Sequence, residues 1–244
     1  MQNLTVRKGH DRGYANHGWL QSYHSFSFAE YYDPQHMQFS VLRVINDDTV
    51  AAGQGFGEHA HRDMEIITYM LHGMLQHKDS IGNGSVIKAG DVQRMTAGAG
   101  IVHSEFNASH SDSVHFLQIW ILPERLNLAP GYEDKHFTTA QKLNQWCLIA
   151  AKDNNTGVLT SALKVHQDMQ LYATILNTDA KLSYSANENR SLYLHVATGN
   201  IEVNGQQFTA GDAVMLNGSV ELVIKANVAS ELLLFDLPLH TAQP

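Results

Sequence analysis

Gly53-Gln54-Gly55-Phe56-Gly57-Glu58-His59-Ala60-His61-Arg62-Asp63-Met64-Glu65 is the stretch that decides how the chain is read. A glycine-rich run leads into two histidines one residue apart. On a strand, alternate side chains share a face, so His59 and His61 point one way and Ala60 the other. Two imidazoles on one strand face are half of a metal site. A second i, i+2 pair, His103 and Glu105, follows about forty residues later in Gly98-Ala99-Gly100-Ile101-Val102-His103-Ser104-Glu105. Four ligands from two strands suit a cation held inside a β-barrel. Imidazole and carboxylate together suit a divalent first-row metal: iron, nickel, manganese, cobalt, copper or zinc. In a roughly octahedral site the four would leave two positions open, which is a catalytic arrangement and not a closed structural one.

The rest of the chain supports a barrel. Short apolar or alternating runs recur at 39–45, 65–71, 114–122, 191–196, 219–224 and 231–235. Gly82-Asn83-Gly84, Gly90-Asp91, Gly199-Asn200, Asn204-Gly205 and Gly211-Asp212 punctuate them. Many short strands at even spacing predict an all-β sandwich or barrel. Helical periodicity is confined to a turn or two near 138–145. Pro123, Pro130 and Gly131 mark a loop-rich connection between two halves.

The halves echo each other. Ile67-Thr68-Tyr69-Met70-Leu71-His72-Gly73 matches Tyr193-Leu194-His195-Val196-Ala197-Thr198-Gly199 at an offset of 126. Lys88-Ala89-Gly90-Asp91-Val92 matches Thr209-Ala210-Gly211-Asp212-Ala213 at an offset of 121. Carried through these offsets, His59 and His61 fall on Ser185 and Asn187, and His103 and Glu105 on Ile224 and Ala226. None of the four is a good ligand for such a metal. The expectation is two tandem jelly-roll barrels, at 1–134 and 135–244, with a metal site in the first alone.

Bulk composition narrows the function. The 244 residues carry a net charge of −8 with histidine neutral, and 16% are charged. That is no basic footprint for nucleic acid. The single cysteine, Cys147, allows no internal disulfide and reads as a buried thiol. The first eight residues lack the apolar core of a signal peptide, and every apolar run is strand-sized. A cytoplasmic monomer without nucleic-acid or membrane contact is expected.

These residues resemble the cupin superfamily. Gly53, His59, His61, Glu65 and Gly73 follow its first motif, and Gly90, Gly98 and His103 its second. A narrower resemblance is to the pirin family of bicupins. It is carried by Trp19-Leu20, His24-Ser25-Phe26-Ser27-Phe28-Ala29, Tyr32-Asp33-Pro34, the His59–Arg62 and Met95–Glu105 segments, Leu117-Gln118-Ile119-Trp120-Ile121 and Pro130-Gly131-Tyr132. The chain departs from the family pattern at Ala60, where proline is usual, and at Asp63-Met64, where Gly-Phe is usual. The resemblance implies metal ligation by His59, His61, His103 and Glu105, with iron the first choice of metal, and a non-ligating Glu65 paired to backbone or Arg62. It implies a metal-dependent dioxygenase that opens flavonols such as quercetin and releases carbon monoxide. The 3-hydroxyl would sit on the metal, and Glu105 would serve as ligand and base. Its partners would be a small aromatic substrate and dioxygen. The alternative is a metal-sensing regulator that binds a protein partner.

Several other side chains have ordinary readings. His24, His72, His77, His110 and His115 read as turn or surface histidines, with lining the pocket or relaying protons to it as the other option. Phe26, Phe28, Met95 and Trp120 read as core, with an aromatic pocket wall as the other option. Arg62 and Arg94 would either orient an anion or pair with Asp63 and Glu65.

Overall fold

The computed structural model describes residues 4–152 and 161–239; Met1–Asn3, part of the segment read for a signal peptide, lie outside them. The first half runs through β1 (Thr5–Arg7), β2 (Gly13–Asn16), β3 (Leu20–His24), β4 (Leu42–Val50), β5 (Gly55–His61) and β6 (Glu65–His72). It continues with β7 (Met74–Asp79), β8 (Gly84–Lys88), β9 (Asp91–Thr96), β10 (Ile101–Asn107), β11 (Val114–Ile121) and β12 (Gly131–His136). One helical turn, α1 (Thr139–Lys142), leads on. It is closed by a capping box in which Thr138 Oγ1 accepts from the Gln141 backbone N–H, and the Gln141 side chain accepts from Thr138. The second half holds β13 (Cys147–Lys152), β14 (Leu163–Val165), β15 (Gln170–Leu176), β16 (Lys181–Ala186) and β17 (Arg190–Thr198). β18 (Asn200–Val203), β19 (Gln206–Thr209), β20 (Ala213–Asn217), β21 (Val220–Ala226) and β22 (Ser230–Pro238) complete it.

Each half is a seven-stranded sheet facing a four-stranded one. The orders are β12-β9-β6-β11-β4-β3-β2 with β5-β10-β7-β8, and β1-β20-β17-β22-β15-β13-β14 with β16-β21-β18-β19. The repeat expected from sequence is therefore present as strand order. The loop-rich connection expected from Pro123, Pro130 and Gly131 runs over residues 122–130, and from Gly131 the chain forms β12, an edge strand on β9. Its polar sequence, Gly-Tyr-Glu-Asp-Lys-His, suits an exposed edge.

The long apolar runs follow from burial on both faces. On β11, Phe116 packs inside the first barrel, whereas Leu117, Ile119 and Ile121 join a core shared with Leu233, Phe235 and Leu237 of β22. On β22, Leu232 and Leu234 fill the second barrel. Alternation is hidden because both faces of the central strands β11 and β22 are covered. Cys147 is buried in the shared core. A small polar cluster crosses that core: Lys142 Nζ donates to the Tyr69 hydroxyl and to Glu231, both at 2.8 Å, and Tyr69 donates to Glu231.

The N-terminal segment ties the barrels together. β1 pairs with β20 in the second sheet, and the chain then returns to the first as β2. Asp212 accepts from the Gly9 N–H at 2.7 Å and from Lys8 at 3.0 Å, and Arg12 meets Asp47 at 3.1 Å. Beside these charges His195 is fully buried, and neither ring nitrogen has a partner among the described residues. Burial, with repulsion from Arg12 added, holds its imidazole down to about 4, against the attraction of Asp47 and Asp212. The unfolded chain takes up a proton below about pH 6.5 that the folded protein refuses. Stability is therefore lost as pH falls from that value toward 4, by about 2 kcal/mol at pH 5. His195→Leu should flatten this dependence, sparing roughly 4–8 °C of the melting-temperature loss between pH 7.5 and 5. Parallel curves for variant and wild type would refute it.

Candidate metal centre and active-site cavity

β5 and β10 are antiparallel neighbours, and His103 lies directly opposite His59. A register shift follows, so Glu105 faces Phe56 where regular pairing would place Gly57. Such a bulge re-aims the side chains beside it. The approach is close at Gly55, where an added Cβ would lie 2.2 Å from the Glu105 carbonyl oxygen. Any side chain there would force the strands apart. Gly98 opens the loop into β10 at φ +46°, and a Cβ there would meet the Leu128 carbonyl at 2.0 Å.

The ligand atoms of His59, His61 and His103 lie within 4.8 Å of one another. Ring centroids are 4.4 Å apart for His59 and His103, 4.8 Å for His59 and His61, and 4.9 Å for His61 and His103. His59 Nδ1 donates to the Gly57 carbonyl at 2.8 Å, which leaves its Nε2 lone pair free. Burial, with His59 and His61 nearby, pushes the His103 imidazole down to about 2, and burial pushes His61 down to about 4. Both rings are neutral at pH 7, the form that ligates.

A second buried group stands behind His103. His77, Glu105 and His103 also bring ligand atoms within 4.8 Å. His77 lies 3.5 Å from His103 (Nδ1 to Nδ1), and its Nε2 lies 3.3 Å from Asp79 Oδ2. Burial works to raise the Asp79 carboxyl, but hydrogen bonds from Asn83, His77 and Ile81 hold it below its usual value. An ionised Asp79 accepts from His77 Nε2–H, so His77 Nδ1 accepts in turn from His103 Nδ1–H. That tautomer puts the lone pair of His103 on Nε2, a buried nitrogen with no partner among the described residues.

Glu105 is gripped from both sides. Gln118 Nε2 donates to one carboxyl oxygen at 2.9 Å, and Gln93 Nε2 to the other at 3.4 Å. Thr68 donates to Gln118 at 3.2 Å, and the Tyr132 hydroxyl to Gln93 at 3.1 Å. Burial raises the Glu105 carboxyl to about 7 in spite of these bonds. A cation nearby would favour its ionised form.

His59, His61 and Glu105 open onto a cavity of about 400 Å³. Leu20, Phe28, Phe56 and Trp120 give it apolar walls, and Ser22, His24, Asn46 and Asp48 give it a polar strip. Trp120 meets His61 edge-on at 5.0 Å and Phe28 at 5.4 Å. A concave, mostly apolar site with a few convergent polar groups is the usual form of a small-molecule pocket.

Several expectations change. His77 and His24 are not surface histidines: they are 0% and 4% exposed. Their strands point them into the barrel, where amide and carboxylate partners exist. Phe28 and Trp120 line the cavity, while Phe26 and Met95 are plain core. Glu65 is fully buried and does not pair with Arg62. It accepts from Thr96 at 3.1 Å and meets His166 at 3.3 Å. Arg94 reaches Thr96 and Glu133, and Arg62 reaches Asn127. Gln93 was not singled out in the sequence, and Gln118 and Tyr132 stood only within pirin-like segments, with no role at the site assigned to them.

The second barrel corrects the offsets. Glu105 pairs with His77, four residues after Gly73, as Ile224 pairs with Val203, four after Gly199. His103 faces His59 as Leu222 faces Tyr184, and Ile101 faces His61 as Val220 faces Ala186. The equivalents are thus Tyr184, Ala186, Leu222 and Ile224, not Ser185, Asn187, Ile224 and Ala226. The two-residue shift of the His103 and Glu105 equivalents arises because residues 97–100 join β9 to β10, whereas Gly218 and Ser219 alone join β20 to β21. All four equivalents lie in or against the apolar core of the second barrel.

Paired jelly rolls, with inward histidines and a carboxylate in the first, define a bicupin. The sequence narrows this further. Residues 5–121 match the family model described as Pirin, and 148–237 that of the quercetinase C-terminal cupin domain. The chain belongs to the pirin family. It is 46% identical to the quercetin 2,3-dioxygenase of Escherichia coli K12, over 96% of this chain and 99% of that one. It is 38% identical to a pirin-like protein of Caulobacter vibrioides, over 94% and 98%. The crystal structure of the E. coli pirin YhhW in complex with nickel(II) superposes with a TM-score of 0.90 at 44% identity, covering 98% of this chain and 100% of that one. Among the described residues no helix is long and apolar enough to cross a membrane.

Proposed function

We propose that the chain is a metal-dependent dioxygenase of flavonols such as quercetin, with His59, His61, His103 and Glu105 holding one divalent transition metal. The observation that carries this is the convergence of three imidazoles, with the Nε2 of His103 buried and unpartnered among the described residues, beside an aromatic-walled cavity. The donor set of three nitrogens and one carboxylate fits iron, nickel, cobalt, manganese, copper or zinc. The nickel complex of the E. coli pirin and the name of the E. coli relative support the reading. When bound, the ion supplies the Lewis acidity that stabilises a deprotonated 3-hydroxyl.

The chain's own residues do the rest. Glu105 takes the proton from the 3-hydroxyl, as a carboxylate held ionised beside a cation and free to shift between ligand and base is placed to do. Phe28, Phe56 and Trp120 hold a flat ring system and exclude water from it. Gln93 and Gln118 keep the carboxylate in place. Ring opening consumes dioxygen and releases carbon monoxide. We place the protein in the cytoplasm as a monomer, with 1–134 carrying the chemistry and 135–244 an apolar-filled barrel behind it.

The test is turnover. Protein loaded in turn with each metal should consume quercetin under air, followed by loss of its absorbance, and His59→Ala should lose on the order of 10³-fold of that rate, the several kcal/mol expected of a Lewis acid. Absence of turnover with every metal would remove the enzyme reading and leave the metal-sensing alternative.

A further inference from the structure

Four polar side chains on the inner face of the first barrel have no part in the chemistry above. Ser22 and Asp48 sit directly opposite each other on β3 and β4, as do His24 and Asn46. The next opposed pair along the same face is apolar, Leu20 and Val50. All four polar residues are at most 4% exposed. All four line the cavity that holds His59, His61 and Glu105. They belong to the seven-stranded sheet, whereas the histidines lie on β5 and β10 of the four-stranded sheet. The two groups therefore face each other across the barrel, whose sheets stand about 10 Å apart.

Each pair is joined internally yet keeps capacity to spare. Ser22 donates to Asp48 Oδ1, so Oδ2 is left to accept. His24 Nδ1 donates to Asn46 Oδ1 at 2.8 Å, so the Asn46 amide N–H groups are left to donate. An acceptor and a donor thus stand side by side in an otherwise apolar enclosure. Burying four such groups is costly unless something satisfies them. Phe28 packs against His24 at 5.3 Å and edge-on against Trp120, giving a flat ligand an aromatic wall between the two ends.

We propose that Ser22, His24, Asn46 and Asp48 form a hydroxyl-recognition subsite that selects planar aromatic ligands bearing ring hydroxyls at the end remote from His59 and His61. A catechol matches it: one hydroxyl donates to Asp48 Oδ2, and its neighbour accepts from the Asn46 amide. The subsite rests on the reading of the cavity as a flavonol site, but its test stands apart from turnover.

Calorimetric titration of the metal-loaded protein with quercetin and with 3-hydroxyflavone, which lacks the ring hydroxyls, measures the preference directly. The wild type should bind quercetin at least about tenfold more tightly, the combined worth of the two hydrogen bonds that a catechol makes here. In Asp48→Asn, which keeps the Ser22 contact but presents an amide, the preference should shrink to about threefold or less. Asn46→Leu should weaken it likewise, with thermal melts confirming that each variant folds. Equal affinities in the wild type, or an undiminished preference in both variants, would overturn the subsite. If neither compound is consumed and the preference holds, the dioxygenase reading falls and the subsite stands. If both compounds are consumed and bind equally, the subsite falls and the dioxygenase reading stands. Failure of the wild type to bind either compound removes the subsite.

Discussion

A His103→Ala variant is expected to fold, to lose stoichiometric metal, and to retain less than about one part in 10³ of wild-type turnover. His103 is the common member of both ligand groupings, with His59 and His61 on one side and His77 and Glu105 on the other. Its Nε2 is buried without a partner, while its Nδ1 leans on His77 and through it on Asp79. Alanine removes a proposed ligand and leaves a gap in front of His77, whose Nδ1 stays engaged by Gln93 Nε2 at 3.4 Å. His59 cannot compensate by turning, because its Nδ1 is held by the Gly57 carbonyl. Elemental analysis of the purified variant, beside its circular dichroism spectrum, separates loss of metal from loss of fold. A folded variant with one metal per chain would show that the three imidazoles do not share an ion.

Much of this candidate site was legible because it combines period-two spacing with unusual residue types. His59, His61, His103 and Glu105 all fall on inward positions of their strands, and a glycine-rich approach marks the close contact at Gly55. The tandem architecture was legible too, since Gly73 and Gly199 each close a strand at the same point of the repeat. The residue-by-residue correspondence was not. An insertion of two residues between β9 and β10 shifts the match in the last strands, and short repeats cannot reveal where a loop has grown. His77, Gln93 and Gln118 were hidden for a different reason. A polar residue at an inward strand position has the same sequence signature as one facing water; only the partner across the barrel distinguishes them. The same holds for Ser22, His24, Asn46 and Asp48. Conversely, β11 and β22 show no alternation because both faces are covered, so their apolar runs announce burial without saying which face meets which core.

Glu105→Gln is expected to cost about 10² to 10⁴ in turnover, the usual range for a positioned acid or base, while three histidines keep the metal. The substitution preserves size but removes the ability to take a proton. It also turns an amide NH₂ toward donors that need an acceptor, since Gln93 and Gln118 each direct an N–H at one of the two oxygens. One of those contacts becomes donor against donor, at a cost of about 1–3 kcal/mol. The pH profile separates proton transfer from this structural cost. Burial sets the carboxyl at about 7 before any cation is considered, and a cation alongside moves it down. Below that value the group is protonated and cannot act as base, so wild-type turnover should rise with pH and level off by about 7. The variant should be slow and lack this rise, because no group at position 105 titrates. A variant within tenfold of wild type, or one that keeps the same acid limb, would take the proton away from Glu105 and leave it as a ligand alone.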